Sequence, residues 1–360
     1  MKQFCTLFLL VFSTHFITAQ VDLSGALTGT YTTLTTAFSA INTGGGSGAV
    51  TATITANHTI TAVAVLNQTN YTVTVLPSGN RTVTGSLSGQ LIRLNGADNT
   101  LINGLNTGGN SLTIRNTNTG TGATVLQIQA DATGNTIQNC TLEGSTQGTN
   151  FPFTNGVVVI RATSGSTGCD NNTITGNKIR DASGNLPRNC IVAEGLSSSV
   201  MNDNLVISNN EISNFWMSGQ WSNGIFSYRY NQAMQITGNH FFQTAARTAS
   251  GADTYNVAIL VDDGVASTVS AGFVISNNVI GGSAAYAGGS AYTISHTGFL
   301  GFEGIGATLG NSPVNSIQGN TIKNINFSTG MPYAGQGYWF FRPLSVFGGA
   351  FNIGTTTGNT

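Results

Sequence analysis

Three titratable side chains follow the same short phrase at successive places in the sequence. Lys178, Glu211 and His240 each come directly after an Asn that is itself preceded by Gly or Asn. If these phrases lie in register on stacked strands, an ammonium group, a carboxylate and an imidazole form one row. A carboxylate in such a row suits general acid–base catalysis. Opposite charges on neighbouring strands also stabilise a sheet by about 0.2–1 kcal/mol, so a purely structural interpretation stays open.

Further charges surround this row in the sequence. Lys178, Arg180, Asp181, Arg188 and Glu194 lie within 17 residues of one another. Guanidinium and ammonium groups bind carboxylates, so this cluster is a candidate site for an acidic sugar. The alternative is a network of ion pairs within a loop.

Aromatic residues gather a little further along the chain. Trp216 and Trp221 flank a short polar loop, and Tyr228, Arg229 and Tyr230 follow. Exposed aromatic rings would stack on sugar faces, and Arg229 would add polar contacts. A long loop that folds its aromatic side chains over the core explains the same residues.

A repeated phrase must position all of these side chains. It reads apolar, polar, Gly or Asn, Asn, any residue, apolar, and it recurs at intervals of 29 to 42 residues. The apolar anchors of successive copies are Leu101, Ile137, Ile174, Ile207, Ile236, Ile275 and Ile317. The second Asn of the phrase is Asn177, Asn210, Asn239, Asn278 and Asn320, with Cys140 in that place in the earliest full copy.

Each copy contains two short strands around a tight bend, and a further short apolar run precedes it. Strands of three to five residues cannot bury their apolar side alone. Successive periods that wind as coils and stack in parallel can do so. We therefore predict an all-β, right-handed, single-stranded parallel β-helix, because parallel crossovers are almost always right-handed. Asn tolerates the left-handed backbone that such a bend needs, and its amides can form a structural ladder between coils.

Composition excludes several other classes of protein. Charged residues make up 7% of the 360 residues, the formal net charge is −1, and 40% of residues are hydrophobic. A typical soluble domain has about 25% charged residues. Nothing in this charge pattern favours a nucleic-acid partner, and no run after the first 20 residues is long and apolar enough to span a membrane.

The first residues resemble a targeting segment. A single Lys near the start is followed by an apolar stretch and by Ala19, which is typical of a secretory signal peptide over residues 1–19. Export places the remaining cysteines in an oxidising compartment. The remaining cysteines are Cys140, Cys169 and Cys190. Because three is an odd number, the sequence allows one disulfide and one buried thiol, and it does not determine which residues pair. Their spacing does not indicate a metal site.

The repeat resembles that of the pectate-lyase-like right-handed parallel β-helix superfamily. The segment from Tyr31 to Ile114 is also similar to large secreted or cell-surface bacterial β-helix proteins that use type IX-like export. The superfamily includes lyases, hydrolases, adhesins and structural surface proteins, so the resemblance implies a fold and no single activity. Enzymes of this fold use a groove on the outside of one sheet.

One acidic pair invites comparison with those enzymes. Asp262 and Asp263 directly follow an apolar run and resemble the paired Asp of polygalacturonase-type hydrolases. The Gly-His-Gly and Arg-x-Lys phrases of those hydrolases are absent from this sequence. Paired carboxylates also suit Ca²⁺, the one cofactor that the sequence suggests. A solvated turn is the simpler interpretation.

These observations predict an organisation and a function. Residues 20–90 form an N-terminal cap and the first coils, with a short amphipathic helix at Leu34, Phe38 and Ile41, and residues 91–360 form the repeats. The final TTGNT matches an internal phrase, which predicts a longer polypeptide. We expect an exported structural or adhesive β-helix at the cell surface that contacts polysaccharide or surface matrix. The alternative is a polysaccharide lyase or glycoside hydrolase.

Overall fold

The computed structural model describes residues 19–148, 155–264, 269–330 and 340–360. Nearly all of the predicted signal peptide therefore lies outside the described residues. The chain winds into successive coils, and each complete coil contributes one strand to each of three sheets. The fold is the predicted right-handed parallel β-helix.

The three sheets run along the length of the helix. Sheet 1, which leads into the Asn bend, contains in spatial order Gly29–Tyr31, Val21–Gly25, Gly48–Ile54, Tyr71–Pro77, Leu101–Asn103, Thr136–Gln138, Thr173–Thr175, Val206–Ser208, Gln235–Thr237, Val274–Ser276, Asn315–Gln318 and Phe351–Ile353. Sheet 2, which follows the bend, contains His58–Thr59, Asn80–Gly85, Ser111–Asn116, Thr141–Gly144, Lys178–Asp181, Glu211–Ser213, His240–Phe242, Val279–Ile280 and Thr321–Ile322. Sheet 3 closes each coil with Ala64–Leu66, Gln90–Asn95, Thr124–Gln129, Val158–Arg161, Asn189–Glu194, Trp221–Tyr228, Thr254–Asp262, Leu300–Thr308 and Phe341–Gly348.

A few elements depart from this regular arrangement of strands. Val21–Gly25 pairs antiparallel with both of its neighbours, whereas the other strand pairs of the three sheets are parallel. Two minor sheets consist of Asn202–Asp203 with Asn231–Gln232, and of Arg247–Ala249, Tyr292–His296 and Ile325–Thr329. A 3-10 turn occupies Ala285–Ala287.

The core is built from columns of aliphatic side chains. Ile137, Ile174, Ile207 and Ile236 pair in register on successive strands of sheet 1, and each is at most 1% exposed. The prediction that Leu101 is a core anchor is wrong by one residue. Ile102 pairs with Ile137 and is fully buried, whereas Leu101 pairs with Thr136 and is only partly buried.

The bend works differently from the prediction. The left-handed residue is the one before the stacked Asn, as the positive φ angles of Gly176, Asn209, Gly238 and Asn277 show. Gly and Asn are the residues that adopt this conformation most readily, which explains why the phrase requires one of them there. The following Asn is thereby left to bond with the neighbouring coils.

The stacked asparagines form a continuous buried ladder. The side-chain amide of Asn239 donates to the Ile207 carbonyl at 2.9 Å and to Asn278 Oδ1 at 3.0 Å. Its own Oδ1 accepts from the backbone N–H and the Nδ2 of Asn210 at 3.0 and 2.9 Å. The same pattern extends over Asn177, Asn210, Asn239, Asn278, Asn320 and Asn359. Cys140 ends the ladder, and its N–H donates to Asn177 Oδ1 at 2.9 Å.

A helix covers the first coil. It spans Leu34–Thr43, begins with a capping box between Thr33 and Thr36, and buries Leu34, Ala37, Phe38 and Ile41. An apolar stripe at this spacing is what an amphipathic helix needs to pack on one face. The predicted cap is therefore present. Within the described ranges, no helix is long and apolar enough to cross a membrane.

Protonation of His58 is expected to loosen this cap. Its buried Nε2 accepts the Leu34 N–H at 3.1 Å, so Nδ1 carries the proton that faces the Ala56 carbonyl. Burial lowers the pKa of His58 below its ordinary value of 6.5, against a smaller opposing contribution from that carbonyl. As pH falls below 6.5 the unfolded chain takes up the proton first, so stability is lost towards acid pH.

The measurement is the thermal midpoint between pH 8 and pH 5. His58→Gln keeps a side-chain acceptor that does not titrate, and its midpoint is expected to decrease less over this range than that of the unmodified chain. Equal decreases in both proteins would show that His58 does not carry the effect.

The three cysteines of the described chain are separate, buried thiols. Cys140, Cys169 and Cys190 are at most 2% exposed and form no disulfide with one another. Burial raises the pKa of Cys140 and of Cys169 to about 12, and it raises that of Cys190 further. Of the pairings that the sequence left open, a bridge among these three is therefore excluded.

Candidate functional site

The predicted row of titratable residues exists on the outer face of sheet 2. Lys178 pairs in register with Glu211, and Glu211 pairs with His240. Lys178 Nζ lies 3.8 Å from Glu211 Oε2, and both side chains are well exposed. The His240 ring contacts Tyr286 with 3.9 Å between ring centroids. Partial burial lowers the pKa of His240, although the Glu211 carboxylate opposes this shift.

The buried carboxylate of Glu143 lies beside this row. Glu143 comes two residues after Thr141, which pairs in register with Lys178. Glu143 is 3% exposed, and its Oε1 accepts from Arg180 Nη2 at 2.8 Å and from Arg180 Nε at 3.1 Å. Its Oε2 accepts from Arg115 Nε on the preceding coil. Two guanidinium groups therefore bind the two carboxylate oxygens of Glu143. About half of the Arg180 side chain remains exposed.

Glu143 lines a groove of about 430 Å³ on this face of sheet 2. Lys178, Arg180 and Glu211 line it together with Asp181 and Asn214. The Asn214 amide donates to Asp181 Oδ1 at 2.6 Å. We call this the sheet 2 groove.

Arg247, the first residue of a minor-sheet strand, holds Asn214 at the side of the sheet 2 groove. Arg247 Nη2 donates to Asn214 Oδ1 at 2.8 Å, and Arg247 Nε donates to Gln243 Oε1 at 3.0 Å. Asp181 Oδ2 accepts the Gly184 N–H at 2.9 Å. The carboxylate of Asp181 is therefore held by hydrogen bonds, while Lys178 and Arg180 present their charge to the open space.

Two members of the predicted charge cluster lie elsewhere. Arg188 is 1% exposed, and its guanidinium donates to the backbone carbonyls of Trp221 and Gly148. Burial lowers the pKa of Arg188 to about 10. Glu194 lies on sheet 3 and pairs with Arg161 at 2.8 Å. The sequence cluster therefore separates because consecutive strands of one coil face different directions.

Asp262 and Asp263 lie in different surroundings. Asp263 is 1% exposed and both of its oxygens accept from Ser270, whose Oγ lies 2.5 Å from Asp263 Oδ1. Asp262 is the partly exposed end residue of its strand and accepts the Gly264 N–H at 2.9 Å. The strand ends at Asp262, and the Asp263 carboxylate after it turns inward to Ser270 while that of Asp262 stays partly exposed. Across the described ranges, no three His, Cys, Asp or Glu side chains cluster as metal ligands.

The aromatic candidates divide into buried and accessible rings. Trp216 is 6% exposed and Tyr228 is 2% exposed, so neither offers a ring face to a sugar. Trp221 is partly exposed and stacks on Tyr255 at 4.3 Å between centroids. The exposed Arg229 guanidinium covers the Tyr228 ring at 4.4 Å. Tyr230 is partly buried.

Sequence reasoning missed Asn214 in the sheet 2 groove and three residues around it. Arg115, Asn214, Arg247 and Tyr286 all contact the predicted charges or the residues that hold them. The strand Ser111–Asn116 alternates buried and partly buried residues and pairs Arg115 with Glu143. That alternation is visible in the sequence and would have placed Arg115, whereas the loop residues carry no such signal.

No family model and no curated protein sequence matches the chain. Among solved structures, the surface adhesin PfbA of Streptococcus pneumoniae is similar with a TM-score of 0.46 at 11% identity, over 76% of this chain and 71% of that one. The Dettilon tailspike protein is similar with a TM-score of 0.43 at 14% identity, over 85% and 61% of the two chains. An endo-xylogalacturonan hydrolase from Aspergillus tubingensis is similar with a TM-score of 0.25 at 12% identity, over 83% and 92%. These likenesses concern the fold alone, and the parallel sheets of the chain itself make it a right-handed parallel β-helix.

Proposed function

We propose that the chain is an exported structural or adhesive β-helix that contacts acidic polysaccharide through the sheet 2 groove. The observation that carries this proposal is how far each charged side chain of the groove is exposed. Lys178 and Arg180 each keep about half of their side chains exposed, whereas Glu143 is buried between two arginines. The open space therefore faces two cations together with the exposed carboxylate of Glu211, which is the ion-pair partner of Lys178.

A uronic acid suits this arrangement chemically. A planar guanidinium group binds a carboxylate with directed hydrogen bonds, and a nearby ammonium group adds a second positive charge. Glu143 holds the Arg180 guanidinium in place, which reduces the entropy lost when a ligand binds. The row of parallel strands repeats along the helix axis, so an extended polymer would meet the groove without bending the protein.

Binding of polygalacturonate, measured by calorimetry with neutral galactan as the comparison polymer, tests the proposal. Arg180→Gln and Lys178→Gln are each expected to weaken binding of the acidic polymer about 10-fold, a loss of about 1.4 kcal/mol. Higher salt is expected to weaken it further. Lys323→Gln is a matched control, because Lys323 is an exposed cation that follows a later Asn bend. Equal binding of both polymers, or equal losses in all three variants, would contradict the proposal.

A polysaccharide lyase or glycoside hydrolase is the second candidate. Glu143, Asp181 and Glu211 line the same groove, and His240 is the register neighbour of Glu211. Release of reducing ends or unsaturated products from the acidic polymer would favour an enzyme. If turnover occurs, Glu211→Gln is expected to abolish it while polymer binding persists.

A further inference from the structure

An exposed tyrosine lies beside the sheet 2 groove, on the loop after the strand Val279–Ile280. Tyr286 is 73% exposed, and its ring contacts the His240 ring with 3.9 Å between centroids. His240 is the register neighbour of Glu211, which lines the groove. Tyr286 therefore continues the groove along the helix axis and offers an aromatic surface to the solvent.

The backbone at this residue is in a conformation that bulky residues rarely adopt. Tyr286 has φ and ψ angles of 62° and 24°, and the next residue, Ala287, has a φ angle of 54°. Crowding of Cβ disfavours this left-handed region, so Gly and Asn are the residues that usually occupy it. Other residues in such conformations cluster at ligand clamps and further functional sites. A turn with no further task would be expected to carry Gly or Asn at this position.

Hydrogen bonds fix the loop that presents this ring. The Ala284 N–H donates to the Gly288 carbonyl at 3.2 Å, and the Gly288 N–H donates to the Ala284 carbonyl at 3.2 Å. From the next coil, the side-chain amide of Asn324 donates to the Ala287 carbonyl at 3.1 Å. A group that is already ordered loses less entropy on binding than a mobile one. The backbone that carries Tyr286 is therefore held in place before a ligand arrives.

We propose that Tyr286 is a stacking platform for a sugar ring of the acidic polysaccharide that the sheet 2 groove binds. The inference rests on the proposed function of that groove and extends its binding surface. One face of a pyranose ring carries mainly C–H groups, and an exposed aromatic ring buries such an apolar face when it stacks on it. Stacking at this place adds an apolar contact to the ionic contact at Lys178 and Arg180.

The two contacts involve different sugars of one polymer. Lys178 and His240 lie on strands that are two apart in sheet 2, a separation of two strand spacings or about 9.6 Å. A single pyranose is shorter than this separation, so the sugar that stacks on Tyr286 is not the one whose carboxylate lies at Lys178. The stacked sugar needs no charge of its own, and this contact is therefore insensitive to salt.

Calorimetry of the full chain with polygalacturonate at low and high salt tests the proposal. Tyr286→Ala is expected to weaken binding about 10-fold at both salt concentrations, whereas the loss caused by Arg180→Gln is expected to shrink at high salt. Tyr286→Phe keeps the ring and is expected to bind like the unmodified chain. Leu196→Ala is the matched control, because Leu196 is 44% exposed and follows the sheet 3 strand Asn189–Glu194.

Tyr286→Gly separates binding from folding. Gly adopts the left-handed conformation readily, so this variant is expected to keep the thermal midpoint of unfolding while it loses binding as Tyr286→Ala does. A lowered midpoint with unchanged binding would show that the ring serves the fold and would overturn the proposal. If Arg180→Gln weakens binding of polygalacturonate and Tyr286→Ala does not, the platform alone is overturned. If the unmodified chain binds polygalacturonate no better than galactan, the proposed function fails, and this inference falls with it.

Discussion

Asn239→Ala is expected to lower the free energy of unfolding by about 3–5 kcal/mol. The side chain of Asn239 makes four hydrogen bonds within a fully buried column. Its removal leaves the Asn210 N–H without its acceptor and takes the amide donor from the Ile207 carbonyl, and each unsatisfied buried group costs about 1–3 kcal/mol. Denaturant unfolding followed by circular dichroism measures the difference.

Gln235→Ala is the matched control for this ladder variant. Gln235 is an exposed residue on the sheet 1 strand of the same coil. Its replacement is expected to change the free energy of unfolding by no more than about 0.5 kcal/mol. A ladder variant as stable as this control would mean that water replaces the lost amide and that the ladder contributes little.

Phe241→Ala is the second substitution with a large expected effect. Phe241 is fully buried, contacts Phe215 edge to face at 6.5 Å between centroids, and lies against Gly224. A Cβ at Gly224 would lie 2.6 Å from the Phe241 ring, so the space there is filled. Truncating a buried Phe to Ala costs about 3–5 kcal/mol through lost burial and a cavity.

A smaller truncation and an exposed aromatic residue separate packing from other causes. Phe241→Leu retains part of the side chain and is expected to cost less than Phe241→Ala. Tyr286→Ala removes a ring that is 73% exposed and is expected to change stability only slightly. Equal losses for Phe241→Ala and Tyr286→Ala in the same unfolding assay would contradict this assignment.

The repeated phrase was sufficient to predict the fold and most of the register. The columns through Ile174, Ile207 and Ile236 are where the phrase placed them, because the Asn bend marks the same point in each coil. The prediction was wrong at Leu101, where no such bend marks the register. There the strand is fixed by a different hydrogen bond, in which the Thr100 N–H donates to Asn135 Oδ1.

The candidate site was predictable only where it depends on register. The order of Lys178, Glu211 and His240 follows from the spacing of the phrase. Loops of unequal length bring Arg247 and Tyr286 to the same face, and nothing in the repeat specifies their paths. The different surroundings of Asp262 and Asp263 arise because the strand ends at Asp262 and Ser270 then binds the Asp263 carboxylate, which the sequence pattern does not indicate. Export and the signal peptide remain predictions.

Because the cysteines are buried, the rate at which their thiols react measures local opening of the chain. A thiol reacts as its thiolate, and the raised pKa values of Cys140, Cys169 and Cys190 keep that form scarce in the closed coils. Alkylation at each position therefore reports how often the surrounding coil opens to solvent. Since each coil of a repeat protein contacts only its neighbours, the three labelling rates would compare opening at different levels of the rod without any added probe.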